Sequence, residues 1–600
     1  MTSRRLWGAI AFALTSCAVA SPSAAADMTK ALHIEFRVAE SSFDPQAAND
    51  SYSLEVADAI FDCLYTYDYF ARPARLIPRA ADGMPLITEG GRTYTLKVRP
   101  GIYFADDPAF KGKKRELTAA DYVFSIKRMF DPKVRSYWLY LFENHLAGLD
   151  KVLTHARKSG TFDYDAPIEG LELVDRYTFR VHFLEPDYAF QHWLTTAQFA
   201  AVAREVVDAY KDASNRVAEN PVGTGPYRLK KWIRAQKIVL EANPDFRDEK
   251  YPAPGAGSSP TDLAIARDYV GRKLPLVGNV DISILEEAQP RVLSFDRGQL
   301  DFLELPSSFA PSVLKGTELK PEYAKRGIGL HRQVEPAISF FFFNLDDPIV
   351  GGYTPEKVAL RRAISMAYDR EASIRSLLYG QALPATQPVP PPVPGYDPAL
   401  AATKTYDPAT ARALLDKFGY TARDPDGYRR TPDGKTLTIV RASTPEASER
   451  ARDELWKRCM DDIGIRMVNL KQKWPELNKM SEAGQLQMWG LSWISTIPDA
   501  DSFFGVFYSK NIGTMNDARL RLPEFDRLYE ASRKLPDGPE RAKLYRKMTD
   551  LVLAYTPWIL WVYPYDNILT QPWVKAYKLH PFMRNQWKFY DVDRLPAIAR

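Results

Sequence analysis

Apolar and polar residues follow two recurring patterns along this chain, one typical of strands and the other typical of helices. Strict alternation or an unbroken apolar run predicts strands at 31–39, 93–104, 177–183, 238–242, 337–345, 436–441, 465–470 and 558–563. Apolar residues at helical spacing predict helices at 54–64, 118–130, 263–269 and 541–553. Strands that alternate with helices predict an α/β protein.

Capping residues mark several predicted helix ends. Thr118 is followed three residues later by Asp121, which is a capping arrangement. A threonine or aspartate directly before a proline predicts three further helix starts, at Thr354, Asp407 and Thr444. Gly419 and Gly464 lie where the helices that follow Asp407 and Thr444 should end.

The chain is too long for a single hydrophobic core. Six hundred residues, 45% hydrophobic and 12% aromatic, predict at least two lobes. The pattern of strands and helices starts again at about residue 335 with the apolar run 337–345, which is typical of a strand buried on both faces. We therefore expect a second lobe from that point.

The N-terminus has the pattern of an export signal. Arg4 and Arg5 precede the apolar run 6–14, and small residues up to Ala26 form a cleavage site. The mature chain would then begin at Asp27 in the periplasm. A competing interpretation is a lipobox that ends at Cys17, which would anchor a lipoprotein. No later segment reaches the ~18 consecutive apolar residues of a membrane span.

Two cysteines remain after this cleavage, Cys63 and Cys459. Both lie among apolar residues, and two cysteines so far apart do not form a disulfide framework. We expect buried free thiols, one in each lobe.

Composition and motifs disfavour several classes of function. The net charge of +5 is the difference between 80 basic and 75 acidic residues, so nucleic-acid binding is not expected. The chain has no nucleophile elbow, no zinc-protease motif and no phosphate-binding loop. The seven histidines show no pair at the spacing of metal ligands, so we expect neither a metal nor a cofactor.

The stretch 490–504, GLSWISTIPDADSFF, combines aromatic and acidic side chains. One interpretation is a strand end followed by a helix capped at Asp501. The other is a wall of a ligand site, because acids next to aromatic rings suit a ligand that is partly polar. Its candidate ligand-binding residues are Trp493, Thr496, Asp499, Asp501 and Phe503.

A second aromatic cluster, SYWLYLF at 136–142, contains Tyr137, Trp138 and Tyr140. Such a cluster is either core or ligand wall, and we include these three residues among the ligand-binding candidates.

Seven stretches, taken together and in order, resemble one protein family. They are GRTYTLKVRPGIYF (91–104), LTAADYVFSIKRMFDP (117–132), NPVGTGPYRLKKW (220–232), FDRGQLDF (295–302), VALRRAISMAYDRE (358–371), YDPATARALLDKFGY (406–420) and QPWVKAYKLHP (571–581). The chain is similar to the family 5 extracellular solute-binding proteins of ABC importers, which include oligopeptide-, dipeptide- and nickel-binding proteins.

The resemblance implies a two-lobed α/β periplasmic-binding-protein fold of the large type II, with an extra subdomain in the first lobe. The implied divisions are 1–26 as signal peptide, 27–70 with 206–334 and 566–600 as the first lobe, 71–205 as the extra subdomain, and 335–565 as the second lobe. The chain crossings near 334 and 565 would form a hinge. A monomer is expected to deliver its ligand to a membrane permease with a cytoplasmic ATPase.

The resemblance also identifies one unusual residue. In peptide-binding members an aspartate three residues after the tryptophan holds the ammonium group of the peptide, and that position here is Thr496. Asp499 or Asp501 could substitute for it, or the ligand could be an opine, a glycoside, a haem-like solute or a metal complex. An exported hydrolase acting through Asp499 and Asp501, and a chaperone or sensor of this fold, are the remaining alternatives.

Overall fold

The computed structural model describes residues 26–400, 406–584 and 586–593. The predicted export signal up to Ala25, with Cys17, lies outside these residues. The α-helices are Ser51–Ile60, Ala119–Phe130, Leu149–Ser159, Phe190–Trp193, Arg204–Tyr210, Pro260–Ala266, Ala288–Asp296, Ala310–Val313, Pro321–Ala324, Pro355–Ala367, Arg370–Ser376, Pro408–Lys417, Ala447–Asp462, Trp474–Glu482, Asp501–Phe504, Pro523–Arg533 and Pro539–Tyr555, and Tyr137–Leu141 is a 3-10 helix.

Two four-stranded sheets are built from the first half of the chain. The first, in spatial order, is Asp27–Phe36, Val277–Ile284, Lys237–Ala242 and Tyr227–Ile233, in which only the first pair is parallel. The second is antiparallel and contains Leu86–Thr88, Thr93–Lys97, Thr178–His182 and Leu171–Leu173. All strands of the second sheet fall within the predicted extra subdomain.

The third sheet has eight strands and dominates the second half of the chain. Its main order is Phe302–Glu304, Trp558–Thr570, Ala337–Phe343, Met488–Ile494, Thr438–Ser443 and Arg466–Lys471, with Gly329–Val334 and Ala382–Pro384 also paired to the second of these. Three two-stranded sheets complete the strands of the described residues: Tyr65–Tyr67 with Leu76–Pro78, Leu314–Lys315 with Glu318–Leu319, and Val574–Lys575 with Asp591–Val592.

One long strand, Trp558–Thr570, joins the two lobes. Its first half pairs with Ala337–Phe343, and its second half pairs with Gly329–Val334. The predicted strand 558–563 is therefore seven residues too short. The polar residues Asp566 and Asn567 interrupt the apolar pattern there, but the Asp566 carboxylate accepts a hydrogen bond of 3.2 Å from the Gln333 amide on the neighbouring strand.

The strand Ala337–Phe343 is buried at every position, as the apolar run predicts. Side chains of a strand alternate between its two faces. Phe341 contacts Trp456 with 4.9 Å between ring centroids, and Phe340 stacks on Trp558 at 3.4 Å. Hydrophobic clusters therefore cover both faces of the sheet.

Most predicted helix ends are confirmed, with one exception. The Asp121 carboxylate accepts a hydrogen bond of 2.8 Å from the backbone N–H of Thr118. The helices Pro355–Ala367 and Pro408–Lys417 begin where predicted, and Gly419 and Gly464 adopt φ of +85° and +71°. The start at Thr444 is wrong, because the strand Thr438–Ser443 is followed by a short loop and the helix begins at Ala447 after Glu446.

Cys63 and Cys459 are buried free thiols, as predicted. Within the described residues, none of the helices is both long enough and apolar enough to cross a lipid bilayer.

A buried ion pair connects the first lobe to the predicted extra subdomain. Arg128, on the helix Ala119–Phe130, donates a hydrogen bond of 2.9 Å to the Asp44 carboxylate, and both side chains are 0% exposed. Arg128 also donates to the carbonyl of Asn215 at 2.9 Å. Burial alone would raise the pKa of Asp44, but Arg128 reverses this effect and holds that pKa below its ordinary value.

We expect Asp44→Ala to lower the free energy of unfolding by about 3–5 kcal/mol, because it leaves the Arg128 guanidinium buried without its counter-ion. Urea unfolding at pH 7 measures this loss. The control is Asp208→Ala, which removes a surface carboxylate 3.8 Å from Arg204 and should change stability by less than about 0.5 kcal/mol. Equal stability of the two variants would contradict a structural role for the buried pair.

Candidate functional site

A cavity with a volume of about 670 Å³ lies between the two predicted lobes. One wall comes from Arg37 and residues 304–307 of the first lobe. The other wall comes from the eight-stranded sheet and the helices that follow its strands. We call this space the cleft cavity. Its volume is in the ordinary range for sites that bind small molecules.

The position of the cleft cavity follows from the topology of the sheet. The strands Thr438–Ser443 and Arg466–Lys471 are parallel, and so is the single pairing of Arg441 with Met488. Thr444, directly after the first of these strands, lines the cavity. Ligands of α/β proteins bind at the carboxyl ends of such strands.

Aromatic rings form much of the second-lobe wall. Trp489 and Trp561 line the cavity and are almost fully buried, whereas Trp474 is 55% exposed at the start of its helix. The Arg452 guanidinium lies 4.6 Å from the ring centroid of Trp561, a cation–π contact. This wall therefore offers apolar area with a positive charge fixed beside it.

Two arginines supply hydrogen-bond donors on the same wall. The Arg441 guanidinium donates to the Glu449 carboxylate at 2.9 Å and also pairs with Asp453. Arg452 pairs with Glu449 as well. The Nε atoms of both arginines are buried and meet no acceptor among the described residues. Burial lowers the pKa of both groups from the ordinary value.

The opposite wall is acidic. Glu304 forms an ion pair of 2.6 Å with Arg37. Glu335 also lines the cavity and lies between the strands Gly329–Val334 and Ala337–Phe343. Burial and, to a smaller extent, the neighbouring Asp566 carboxylate raise the pKa of Glu335 to about 8. Burial also raises the pKa of Glu304, against the opposing effect of Arg37. Charges of both signs therefore face the cleft cavity.

The stretch 490–504 meets the cleft cavity only at its beginning. Gly490, Leu491 and Ser492 line the cavity, and the strand ends at Ile494. None of the eight predicted ligand-binding residues lines it: they are Trp493, Thr496, Asp499, Asp501, Phe503, Tyr137, Trp138 and Tyr140. Ligand binding by these eight residues remains a prediction.

Asp499 is held within the second lobe. Its carboxylate is 2.8 Å from the Arg541 guanidinium and accepts a hydrogen bond of 2.9 Å from the Tyr545 hydroxyl. It also accepts a hydrogen bond of 2.8 Å from the backbone N–H of Asp501. The N-cap of the short helix Asp501–Phe504 is therefore Ala500 and not Asp501, and the Asp499 carboxylate accepts the first N–H of the helix.

The other residues of this stretch differ in their surroundings. Phe503 is 0% exposed and belongs to the core, whereas Trp493 and Thr496 are half-buried. The Trp493 Nε1 atom and the Asp501 Oδ1 atom are buried and have no hydrogen-bond partner among the described residues. Burial raises the pKa of Asp501 to about 6, against the opposing charge of Arg533.

The second aromatic cluster also separates into core and surface. Trp138 is 8% exposed and donates a hydrogen bond of 2.9 Å to the Ala48 carbonyl. Tyr137 and Tyr140 are 61% and 44% exposed, with 5.6 Å between their ring centroids. The structure does not bring these three residues to the cleft cavity.

Sequence reasoning missed the charged lining of the cleft cavity. Arg441 ends a predicted strand and Glu304 lies two residues beyond the quoted stretch 295–302, so both were near recognised features. A charged residue at the end of a buried strand is the sequence signal that could have identified them as cavity residues. Arg452 and Glu335 carry no such local signal.

We expect Asp499→Asn to lower the free energy of unfolding at pH 7 by about 1.5–3 kcal/mol, because Arg541 loses its buried counter-ion and keeps only the more exposed Asp537. Asp501→Asn is the matched control two residues away. A carboxyl whose folded pKa is raised destabilises the fold once it ionises, so this control should lose no stability at pH 7. Urea unfolding of both variants checks the contrast, and equal losses would show that Asp499 is not the structural member of the pair.

The chain resembles proteins of known type over most of its length. Residues 75–514 match the model of "Bacterial extracellular solute-binding proteins, family 5 Middle". Di/tripeptide-binding protein 2 of Pseudomonas aeruginosa is 25% identical, over 98% of this chain and 99% of that protein. Heme-binding protein A of Haemophilus influenzae is 25% identical, over 84% of this chain and 82% of that protein.

A solved structure shows the same fold. It is the ABC transporter-associated periplasmic binding protein DppA of Helicobacter pylori in complex with the peptide STSA. It superposes with a TM-score of 0.68 at 22% identity, over 94% of this chain and 98% of that one. The family match covers more than half of the chain and agrees with this two-lobed α/β architecture. The protein is therefore a member of family 5 of the bacterial extracellular solute-binding proteins.

Proposed function

We propose that this protein is an exported receptor that binds a peptide or peptide-like solute in the cleft cavity and delivers it to the permease of an ABC importer. The observation that carries this proposal is the cavity of about 670 Å³ with walls from both lobes. A ligand that contacts both walls stabilises the closed arrangement of the lobes, which is the signal that such a receptor passes on.

The lining of the cleft cavity suits a peptide. A peptide carries charges of both signs, amide donors and acceptors, and side chains that are often apolar. The cavity is lined by the carboxylates of Glu304 and Glu335, the arginines Arg441 and Arg452, and the rings of Trp489, Trp561 and Trp474. Charge-assisted hydrogen bonds to the polar groups would orient the ligand, and the rings would supply contact area.

Thr496 stands where the resemblance places the aspartate that holds a peptide's ammonium group. This chain must therefore recognise such a group through other residues. Asp499 is engaged by Arg541 and Tyr545, so it is a poor substitute. One oxygen of Asp501 accepts no hydrogen bond and lies 4.0 Å from the Arg533 guanidinium, and the Trp493 indole N–H has no acceptor among the described residues. We infer that these two groups contact the ligand, or water bound to it, at the predicted ligand wall 490–504.

Closure would bring the extra subdomain against the second lobe. Arg533 lies 3.8 Å from the Asp187 carboxylate, and His192 lies 3.8 Å from the Asp537 carboxylate. The crossing strands pair Val334 with Tyr565, so a hinge at this point would bend two strands together. We infer a hinge there, with 335–565 as the moving lobe.

We infer a periplasmic location from the predicted export signal, with cleavage after Ala26 or lipidation at Cys17 as the two routes. The partners are a membrane permease and its cytoplasmic ATPase, and the receptor acts as a monomer. Catalysis is not part of this proposal, because Asp499, one of the two acids that a hydrolase would use, is consumed by a structural ion pair.

A non-peptide solute is the second candidate. Thr496 favours it, because a hydroxyl cannot form the charge-assisted bond that an aspartate gives to an ammonium group.

We expect a subset of di- to pentapeptides to raise the melting temperature of the purified protein, because a ligand that binds only the folded state stabilises it. Trp561→Ala should abolish this rise by removing the aromatic wall. Leu263→Ala, at an exposed site outside the cleft, should leave it unchanged. No rise with any peptide would reject the peptide receptor and leave the non-peptide candidate.

We expect Arg533→Ala to favour an open arrangement of the lobes, because it leaves Asp187 facing Asp501 without the cation between them. Small-angle X-ray scattering of the ligand-free protein should show a larger radius of gyration. Lys534→Ala, which removes a neighbouring exposed charge, is the control. An unchanged radius for Arg533→Ala would show that this contact does not influence closure.

A further inference from the structure

A second cavity extends from the cleft cavity into the first lobe. Its volume is about 270 Å³, and it shares Arg37 and Glu304 with the cleft cavity. The first strand, Asp27–Phe36, and the helices Ser51–Ile60 and Ala288–Asp296 contribute to its lining. We call it the side pocket. The Arg37–Glu304 ion pair stands where the two spaces meet.

Acids outnumber bases in the side pocket. Its lining contains four carboxyl groups, Glu35, Glu55, Glu304 and Asp566, and two guanidinium groups, Arg37 and Arg291. Desolvated like charges repel strongly, so such a group of acids requires cations close to it.

The arginines near these carboxyl groups form only long ion pairs with Glu35 and Glu55. Arg291 has a side chain only 7% exposed, its Nε meets no acceptor among the described residues, and its nearest carboxylate oxygen, on Glu35, is 3.7 Å away. That distance is too long for a hydrogen bond. Glu55 accepts no hydrogen bond from the described residues, and the cation that acts on it is the more distant Arg584. The pocket is therefore formed but incompletely paired.

The pKa values agree with this geometry. Burial raises the pKa of Glu35 to about 8 and that of Glu55 to about 7. A cation placed between them would favour their charged forms and recover part of the free energy that burial costs.

The walls suit the stem of a long cationic side chain. The rings of Tyr52, Tyr577 and Tyr590 line the pocket together with Leu579. Aliphatic stems of lysine and arginine pack on such surfaces while their charged ends reach polar groups.

We propose that the side pocket is a subsite that takes an ammonium or guanidinium group of the solute bound in the cleft. This inference rests on the proposed receptor function and adds its substrate class: solutes with a cationic side chain that enters the first lobe past Arg37 and Glu304. Glu35 and Glu55 receive the cation, and Arg291 limits the affinity because it carries a like charge.

Calorimetric titration of alanine-based tripeptides tests the proposal. One series carries lysine, and the matched series methionine, at each position in turn. We expect one lysine peptide to bind about tenfold or more tightly than its methionine counterpart, since hydrogen bonds to charged groups are worth more than neutral ones. Glu55→Gln should remove this preference by lowering the affinity for the lysine peptide about tenfold.

Arg291→Met should change the affinity for the lysine peptide in the opposite direction. A general loss of structure could not produce such an increase. Removal of the like charge should raise the affinity for the lysine peptide and leave that for the methionine peptide unchanged. Equal affinities of the two series for the unaltered protein would overturn the cationic subsite, although the receptor function would stand.

Failure of every peptide to bind would instead reject the peptide receptor, and methylguanidinium then tests the side pocket alone. A rise in melting temperature with millimolar methylguanidinium that Glu55→Gln abolishes would support the subsite. No rise with the unaltered protein would overturn it.

Discussion

The two lobes depend on one shared element, the strand Trp558–Thr570. Its backbone hydrogen bonds hold Ala337–Phe343 on one side of the crossing and Gly329–Val334 on the other. Since one continuous strand belongs to both regions, we propose that the predicted lobes rotate by bending the paired strands near Tyr565. The cleft cavity lies beside this crossing, so a small change of angle there alters the distance between its walls.

Buried charges in this protein fall into two classes that differ in how completely they are paired. Asp44 with Arg128 and Asp499 with Arg541 lie at ordinary hydrogen-bond distances and stabilise the junctions between segments. The side pocket, in contrast, contains Arg291, whose nearest carboxylate oxygen, on Glu35, is 3.7 Å away. An ion pair at hydrogen-bond distance indicates a structural role, and a longer one beside a cavity indicates where a solute would add contacts.

The sequence predicted the architecture better than the site, for a physical reason. Strands such as Ala337–Phe343 and helix starts such as Thr354 depend on neighbouring residues, which are visible in a local pattern. The start at Thr444 failed because a strand end and a helix start compete within three residues. Asp499 could not be assigned because its partner Arg541 lies 42 residues away, and no local pattern links them. The same holds for Glu35, which meets Arg291 only through the fold.

The position of Trp558–Thr570 near the end of the chain affects how the molecule can be made. The strand is an interior member of the largest sheet, so the earlier strands lack their central neighbour until almost all residues are available. Contacts of such long sequence separation form late and slowly. The eight-stranded sheet can therefore be completed only after nearly the whole chain has been synthesised, whereas the four-stranded sheet that begins with Asp27–Phe36 does not wait for this strand.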